Sequence, residues 1–298
     1  MSEALPQFFP DALRAQYGAE RAAQILSGMR GRRRTTLRAN LLKTTPEAVA
    51  ALLTEAGIAF ERPAFSGAAF LLPEATERDL RALPAYERGE IYLQSLSSML
   101  PPLALGPKLG ADILDMAAAP GGKTAQMAAM TGGKANITAC EVDRVRAEKL
   151  RFNLQRQGAS RVNVMVCDAR KLEPFFRFDQ ILLDAPCSGS GTLLSDQPAS
   201  FRAFSEKLVK NSAALQLQLL KKALSLLKSG GEMVYSTCSI LETENEAVVR
   251  AALRGSGARV EPLDFPDLPL LPTPLPGALC VQPTEEYEGF FVAKLVKE

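Results

Sequence analysis

Short apolar runs alternate with longer segments of helical periodicity from about residue 110 to the end of the chain. The apolar runs predict buried strands at 111–118, 136–143, 162–168, 178–186, 231–239 and 289–296. The segments between them predict a helix that ends at residue 130 and further helices over 145–157, 205–227 and 244–253. Repeated strand–helix–strand units with apolar strands are typical of a parallel sheet with helices on both faces, a doubly wound α/β fold.

The first 88 residues follow a different pattern, with shorter and mixed elements. We predict an amphipathic helix over 11–29, a strand over 35–40 and a helix over 46–56, with Pro46 in its first turn. We therefore expect a small α+β domain at 1–88 and a larger domain at 89–298. The stretch 262–276 contains six prolines and predicts an extended connector inside the larger domain.

The composition is that of an ordinary globular protein, since 47% of the 298 residues are hydrophobic and 23% are charged. No apolar run reaches the roughly 18 residues of a membrane span, and no signal peptide is visible, so we expect no membrane association. Five cysteines without a CxxC pair indicate free thiols in a reducing compartment, which predicts a cytoplasmic location. The absence of histidine excludes Cys-His and Ser-His catalytic pairs and a histidine-ligated zinc, and we expect no metal.

The net charge of +2 does not by itself indicate a nucleic-acid partner. Basic residues are nevertheless concentrated in one N-terminal stretch, at Arg30, Arg32, Arg33, Arg34, Arg38 and Lys43. Such a cluster can neutralise phosphates, and it can equally be a solvated surface. Charge alone leaves both interpretations open.

Acidic residues end three of the predicted strands. The first strand ends at Asp115 and continues into the turn DMAAAPGGKT, whose small residues allow a ligand close to the backbone and whose helix offers N–H groups to an anion. The second strand ends in Glu141 and Asp143, and the third at Asp168. An ordinary tight turn would explain the first segment alone, but three acidic strand ends together predict a nucleoside cofactor. The fingerprint GxGxxG is absent from the turn, which argues against a nicotinamide.

Two cysteines follow the fourth and fifth predicted strands, Cys187 in DAPCSGSG and Cys238 in STCS. Because neighbouring parallel strands end at the same edge of a sheet, we expect both thiols near each other and near the cofactor. Small and polar neighbours favour reactive thiols here, whereas Cys140, Cys167 and Cys280 are expected in the core. The spacing does not decide which of the two cysteines attacks a substrate.

Motifs along nearly the whole chain resemble those of the Sun/Fmu family of RNA cytosine-5 methyltransferases, which act on rRNA or tRNA. These motifs are RTTLRANLLKTTPE, GEIYLQSLSSMLPPLAL, AAAPGGKT, DAPCSGSGT, GGEMVYSTCSILETENE and EGFFVAKL. The resemblance implies a mostly parallel, seven-stranded Rossmann-like sheet, an N-terminal RNA-binding domain and S-adenosylmethionine as methyl donor. Since C5 of cytosine is a weak nucleophile, it also implies that a thiolate first adds to C6 of a base taken out of its stack.

The resemblance implies roles for single residues as well. Cys238 would attack the base and Cys187 would help to release the product. Asp184 would act on N3 and the 4-amino group of the base, and Lys123 would assist the thiolate. The cofactor-binding residues would be Ala117, Ala118, Ala119, Pro120, Gly121, Gly122, Lys123, Glu141, Asp143, Arg146, Asp168 and Asp184.

The sequence departs from the family pattern in three places. Glu141 stands where an aspartate is common, QPTEEYEGFF lacks a histidine often found there, and no further domain follows the last strand, which leaves the RNA target open.

Two other functions compete with this interpretation. In an amino-group N-methyltransferase DAPC would replace an Asp/Asn-Pro-Pro-aromatic motif, and a catalytically idle RNA-binding or ribosome-assembly factor would not need the intact cysteines. We expect a monomer, with rRNA and tRNA both open as substrates.

Overall fold

The computed structural model describes residues 5–298. The N-terminal elements, in chain order, are α1 (Phe8–Tyr17), α2 (Ala19–Gly28), β1 (Thr35–Ala39), α3 (Pro46–Glu55), β2 (Ala69–Leu72), α4 (Glu77–Arg81), α5 (Pro84–Glu87), β3 (Ile91–Leu93) and α6 (Leu96–Leu105). The predicted single helix over 11–29 is therefore wrong, because Gly18 adopts a φ of 81° and separates two helices.

The three N-terminal strands form an antiparallel sheet in the order β2–β1–β3. Leu37 of β1 lies opposite Phe70 of β2 and Leu93 of β3. Apolar side chains of α3, Val49 and Leu53, are buried against this sheet. β3 lies a few residues beyond position 88, so the small sheet continues past the expected end of the N-terminal domain.

The remaining elements build one large sheet and its covering helices. They are β4 (Asp112–Asp115), α7 (Gly122–Met130), β5 (Asn136–Glu141), α8 (Arg144–Gln157), β6 (Asn163–Val166), a 3₁₀ turn (Ala169–Lys171), β7 (Phe178–Asp184), α9 (Pro198–Phe201), α10 (Glu206–Leu226), β8 (Leu227–Thr237), α11 (Glu246–Leu253), β9 (Ala258–Glu261), β10 (Leu270–Leu271), β11 (Leu279–Val281) and β12 (Phe290–Lys297). The predicted strands and helices of this region are all present, with ends shifted by a few residues.

The large sheet has the order β10–β11–β12–β8–β7–β4–β5–β6, and β9 pairs with β12. The strands from β8 to β6 are parallel, and the others are antiparallel. This Rossmann-like sheet confirms the expected fold class, although it has nine strands rather than seven. The extra strands include the two-residue β10 inside the proline-rich connector, which is too short to show alternation in the sequence and is defined only by its pairing with β11.

β8 begins at Leu227, where the sequence pattern predicts the end of a helix. Leu227 pairs with Phe178 of β7, so the strand continues through Gly230 and Gly231. Gly231 is tightly enclosed, since a Cβ atom there would lie 2.8 Å from the Lys228 carbonyl oxygen. A close backbone approach, rather than a helix end, therefore explains this glycine.

The carboxyl ends of the parallel strands meet at one edge of the large sheet. β4 ends at Asp115, β5 at Glu141, β7 at Asp184 and β8 at Thr237. The N-terminal sheet contacts the helices that cover the large sheet, where Arg38 of β1 donates to Gln157 at the C-terminal end of α8. Between residues 5 and 298, no helix combines the length and the apolar character needed to cross a bilayer.

Candidate active site

A cavity of about 830 Å³ lies where the strand ends of the large sheet face the N-terminal sheet. Its wall includes residues of both parts of the chain: Arg33, Tyr92, Asp115, Lys123, Asp184, Cys238, Glu288 and Phe290 among others. Because charged side chains of both signs converge on this cleft, the cavity is suited to a polar ligand.

Cys187 and Cys238 are brought together as the sequence predicted. Their Sγ atoms are 3.0 Å apart, although 51 positions separate them in the chain. Cys238 lines the cavity, whereas Cys187 lies behind it. The hydrogen bond with Cys238, together with burial, raises the pKa of Cys187 well above its ordinary value. Cys187 therefore keeps its proton and can donate a hydrogen bond to the Cys238 sulfur.

Lys123 and Asp184 form an ion pair on the cavity wall. Lys123 Nζ is 2.7 Å from Asp184 Oδ2 and donates to Ser98 Oγ at 2.7 Å. Asp184 also accepts a hydrogen bond from Ser236 Oγ at 2.7 Å. Burial lowers the pKa of Lys123, but the charge of Asp184 outweighs it and the net shift is upward. Lys123 therefore keeps its positive charge, and it lies with Asp184 on the same cavity wall as Cys238.

The backbone around Cys238 is held by Gly191 and Gly289. The Gly191 N–H donates to the Cys238 carbonyl at 2.9 Å, and the Gly289 N–H donates to the Gly191 carbonyl at 2.8 Å. Arg33 of the N-terminal part donates to the same Gly191 carbonyl at 3.2 Å. A Cβ atom on Gly191 would lie 2.0 Å from the Gly289 carbonyl oxygen, so only glycine permits this approach.

The turn between β4 and α7 places small residues on the cavity wall: Ala117, Ala118, Ala119, Pro120 and Gly122. Gly121 is the N-cap of α7, with a φ of 107°. Asp115, at the end of β4, is fully buried and accepts a hydrogen bond from Thr124 Oγ1 at 2.7 Å. Burial raises the pKa of Asp115 to about 6, against the opposing hydrogen bond of Thr124. A carboxyl with such a pKa can exchange its proton near neutral pH.

A second, smaller cavity of about 120 Å³ adjoins the first, and Ala117 lines both. Glu141 and Asp168 both lie on its wall. Arg146 also lines it, lying 3.4 Å from Glu141 and donating to the Ala119 carbonyl at 3.0 Å. Hydrogen bonds from Arg170 hold the pKa of Asp168 below its usual value.

Asp143 has a different position from the other predicted cofactor residues. It is exposed, and its carboxylate accepts a hydrogen bond from the Arg146 N–H at 2.8 Å, which caps the N-terminus of α8. Neither cavity includes Asp143 in its wall. Its position after β5 nevertheless places its backbone N–H 3.0 Å from Glu141 Oε1.

The basic residues of the N-terminal stretch have different surroundings in the structure. Arg32, Arg33 and Arg34 line the mouth of the large cavity, and Arg78 joins them there. Arg38 is different, because it is only 2% exposed and donates to Gln94 and Gln157. Arg38 therefore neither belongs to a solvated surface nor is available to bind a phosphate.

Several side chains of the site were missed by the sequence analysis. Glu288 and Arg78 lie on the cavity wall, and Arg170 contacts Asp168 in the smaller cavity. Arg170 could have been found as a cation two positions after an acidic strand end. Glu244 was also missed, although it lies inside the STCS motif block, because an acid at the start of a helix is common for other reasons.

The fold and this site define the class of Rossmann-like methyltransferases that carry a small ferredoxin-like domain. The chain belongs to the 16S rRNA methyltransferase RsmB/F family, whose model matches residues 102–296. A second model, the RsmF/B-like ferredoxin-like domain, matches residues 5–78. The family resemblance predicted from the motifs is thereby confirmed.

Three similar proteins illustrate the relationship. Ribosomal RNA small subunit methyltransferase F of Shewanella loihica is 36% identical, over 89% of this chain and 56% of that protein. The 25S rRNA (cytosine-C(5))-methyltransferase nop2 of Schizosaccharomyces pombe is 35% identical, over 83% of this chain and 42% of that protein. A methyltransferase homologue from Pyrococcus horikoshii superposes with a TM-score of 0.85 at 34% identity, covering 99% of this chain and all of that one. The chain thus spans about half the length of these curated relatives.

Proposed function

We propose that this protein is an S-adenosylmethionine-dependent methyltransferase that methylates C5 of a cytosine in RNA. The observation that carries the proposal is the pair of Cys187 and Cys238 sulfurs, 3.0 Å apart beside the Lys123–Asp184 ion pair at the wall of one cavity. Methylation at C5 needs a thiolate nucleophile, and two cysteines divide attack and release between them. The cytosine-C5 methyltransferase activity of a relative supports the same reaction.

The residues around the two cavities fit S-adenosylmethionine. The Glu141 carboxylate would accept hydrogen bonds from both ribose hydroxyls, and Asp168 would receive the adenine amino group. The turn from Ala117 to Lys123 would hold the amino-acid part, with the N–H groups at the start of α7 facing its carboxylate. When bound, this cofactor would supply an electrophilic methyl group.

Cys238 would form the transient bond to the substrate. Its thiolate adds to C6 of the cytosine. The electron pair of the C5–C6 double bond shifts toward C5 and C4, with N3 taking up the charge, and this makes C5 nucleophilic. Asp184 accepts a hydrogen bond from the 4-amino group, and the charge of Lys123 stabilises the electron-rich ring. Cys187 keeps its proton during this step and hydrogen-bonds to the neighbouring sulfur.

Once C5 carries the methyl group, release requires that the C5 proton passes to a solvent base and that the bond between C6 and the Cys238 sulfur breaks. The electron pair of the C5–H bond restores the double bond and expels the sulfur as a thiolate. The Cys187 thiol is in place to hydrogen-bond to this departing thiolate, since it already contacts the same atom. Because Cys238 lines the large cavity and Cys187 does not, the geometry supports the assignment of attack to Cys238 and of release to Cys187.

We propose rRNA as the substrate, because the curated relatives are named for rRNA. Arg32 and Arg78, two exposed arginines on the cavity wall, would contact phosphates next to the extruded base. The N-terminal α+β domain at 1–88 stays a prediction, as does the larger one at 89–298, and the pairing of β3 with β1 favours a boundary a few residues later. We further propose a monomer in the cytoplasm and a reaction that calls for no metal.

The proposal is tested by incubating the protein with radiolabelled S-adenosylmethionine and rRNA, followed by digestion to nucleosides. We expect label in 5-methylcytidine; label in N4-methylcytidine, or no transfer at all, would overturn the reaction. Cys187→Ala should accumulate a denaturant-resistant protein–RNA adduct and Cys238→Ala should form none. Cys280→Ala, at a buried cysteine outside both cavities, is the control and should form no more adduct than wild type. Adducts that persist in Cys238→Ala would reverse the two roles.

A further inference from the structure

One buried carboxylate connects the loops that carry the two cysteines. Glu244 is fully buried, and its side chain accepts four hydrogen bonds. Oε1 accepts from the Ser188 N–H at 2.8 Å and from Gln216 Nε2 at 3.2 Å. Oε2 accepts from the hydroxyl of Ser188 at 2.5 Å and from that of Ser239 at 2.7 Å.

The two serines stand in equivalent places in the chain. Ser188 directly follows Cys187, and Ser239 directly follows Cys238. Both hydroxyls donate to the same oxygen, so one carboxylate holds the backbone immediately after each thiol. The Ser190 hydroxyl adds a second link, since it contacts Ser239 Oγ at 2.8 Å.

Glu244 is itself held firmly. The Tyr235 hydroxyl donates to its backbone carbonyl at 2.6 Å, and its N–H donates to the Leu241 carbonyl at 3.0 Å. A carboxylate that accepts from several donors in a low-dielectric interior is a rigid connection, because each broken bond leaves a buried polar group without a partner.

We propose that Glu244 is the positioning residue that sets the distance between the Cys187 and Cys238 sulfurs. It does not line the cavity and does not touch the substrate, so its contribution acts through Ser188 and Ser239. The inference rests on the proposed function, because the distance matters for catalysis only if both thiols take part. The passage from attack by Cys238 to release with the help of Cys187 then depends on this carboxylate.

Whether the two sulfurs keep this distance can be tested without RNA, from the rate at which the oxidant diamide forms a disulfide between them. Each thiol loses one proton and one electron, an S–S bond forms, and the azo group of diamide becomes a hydrazine. Glu244→Gln should slow formation of the bond between Cys187 and Cys238 by at least about tenfold, since an amide NH₂ cannot accept from the serine hydroxyls and a misplacement of about 1 Å can cost up to about 100-fold. Peptide mapping after alkylation identifies the disulfide.

Two controls separate positioning from general loosening. The Cys140 and Cys167 sulfurs, 3.6 Å apart and without contact to Glu244, form an internal reference pair whose rate should not change. Glu246→Gln replaces another buried glutamate that contacts Thr273 and neither cysteine loop, and it should leave both rates as in wild type. An unchanged rate for the Cys187–Cys238 disulfide in Glu244→Gln, or an equal slowing of the reference pair, would overturn the proposal.

Single serine substitutions test the same idea if Glu244→Gln does not fold. Ser188→Ala should raise the fraction of protein trapped as RNA adduct, because it frees Cys187, and Ser239→Ala should slow adduct formation, because it frees Cys238. Equal effects of both variants would count against the connection. If the wild-type protein transfers no methyl group to RNA but the disulfide rates still depend on Glu244, the proposed function fails and the positioning role stands.

Discussion

Gly191→Ala is expected to separate the two loop segments that hold the Cys238 backbone. The new Cβ would lie 2.0 Å from the Gly289 carbonyl oxygen and 2.5 Å from its carbon, both backbone atoms that cannot rotate away. Since ordinary contact needs about 3.4 Å, the two segments must move apart by about 1.4 Å. That displacement breaks two hydrogen bonds, the one from the Gly191 N–H to the Cys238 carbonyl and the one from the Gly289 N–H to the Gly191 carbonyl.

The free energy of unfolding should fall by about 3–5 kcal/mol, from overpacking and from the two broken hydrogen bonds. Urea unfolding followed by circular dichroism measures this difference. Methyl transfer to RNA should fall about 100-fold in the folded fraction, because the Cys238 backbone is displaced. The matched control is Gly67→Ala, where a Cβ meets nothing within 4 Å, and it should change the free energy of unfolding by less than about 1 kcal/mol. A loss below about 1 kcal/mol in Gly191→Ala would refute the close-contact argument.

Three further predictions concern pH, cofactor and RNA. Because burial raises the pKa of Asp115 from 3.8 to about 6, the folded state binds more protons, and the free energy of unfolding should fall by up to about 3 kcal/mol as pH rises through this range. Asp115→Asn should remove that fall in urea titrations, and an unaltered pH profile would contradict it. Arg146→Ala should weaken S-adenosylmethionine binding about fivefold by calorimetry, while Arg151→Ala on the same helix should not; equal affinities would exclude this role. Arg32→Ala should reduce the slope of log affinity for RNA against log salt by about 1, and an unchanged slope would place Arg32 off the RNA.

Much of the large sheet could be predicted from the sequence because its strands are buried on both faces. Continuous apolar runs such as 178–186 identify such strands locally, and the acid or cysteine after each run marks the strand end. The rule that ligands bind at the carboxyl ends of parallel strands then places Asp115, Glu141, Asp184 and Cys238 at one edge of the sheet. Local pattern and a general topological rule were sufficient here.

Other features depended on contacts between distant parts of the chain. The two-residue strand at 270–271 exists because a neighbour pairs with it, and a sequence window that short carries no period. The break at Gly18 and the start of β8 at Leu227 depended on backbone angles and on a partner strand. Propensity is a weak guide where tertiary pairing decides the outcome.

The chemistry of the site shows the same division. Residue type and position identified the two thiols, the lysine and the carboxylates, because few side chains can act as nucleophile, cation or hydrogen-bond acceptor. The tertiary structure decided that Arg38 is buried against Gln94 and Gln157 while Arg33 reaches the cavity. It also decided that Glu244 joins both cysteine loops, since hydrogen bonds across 56 positions of sequence depend on the folding of the whole sheet. Sequence therefore determined which groups are available, and folding determined which of them meet.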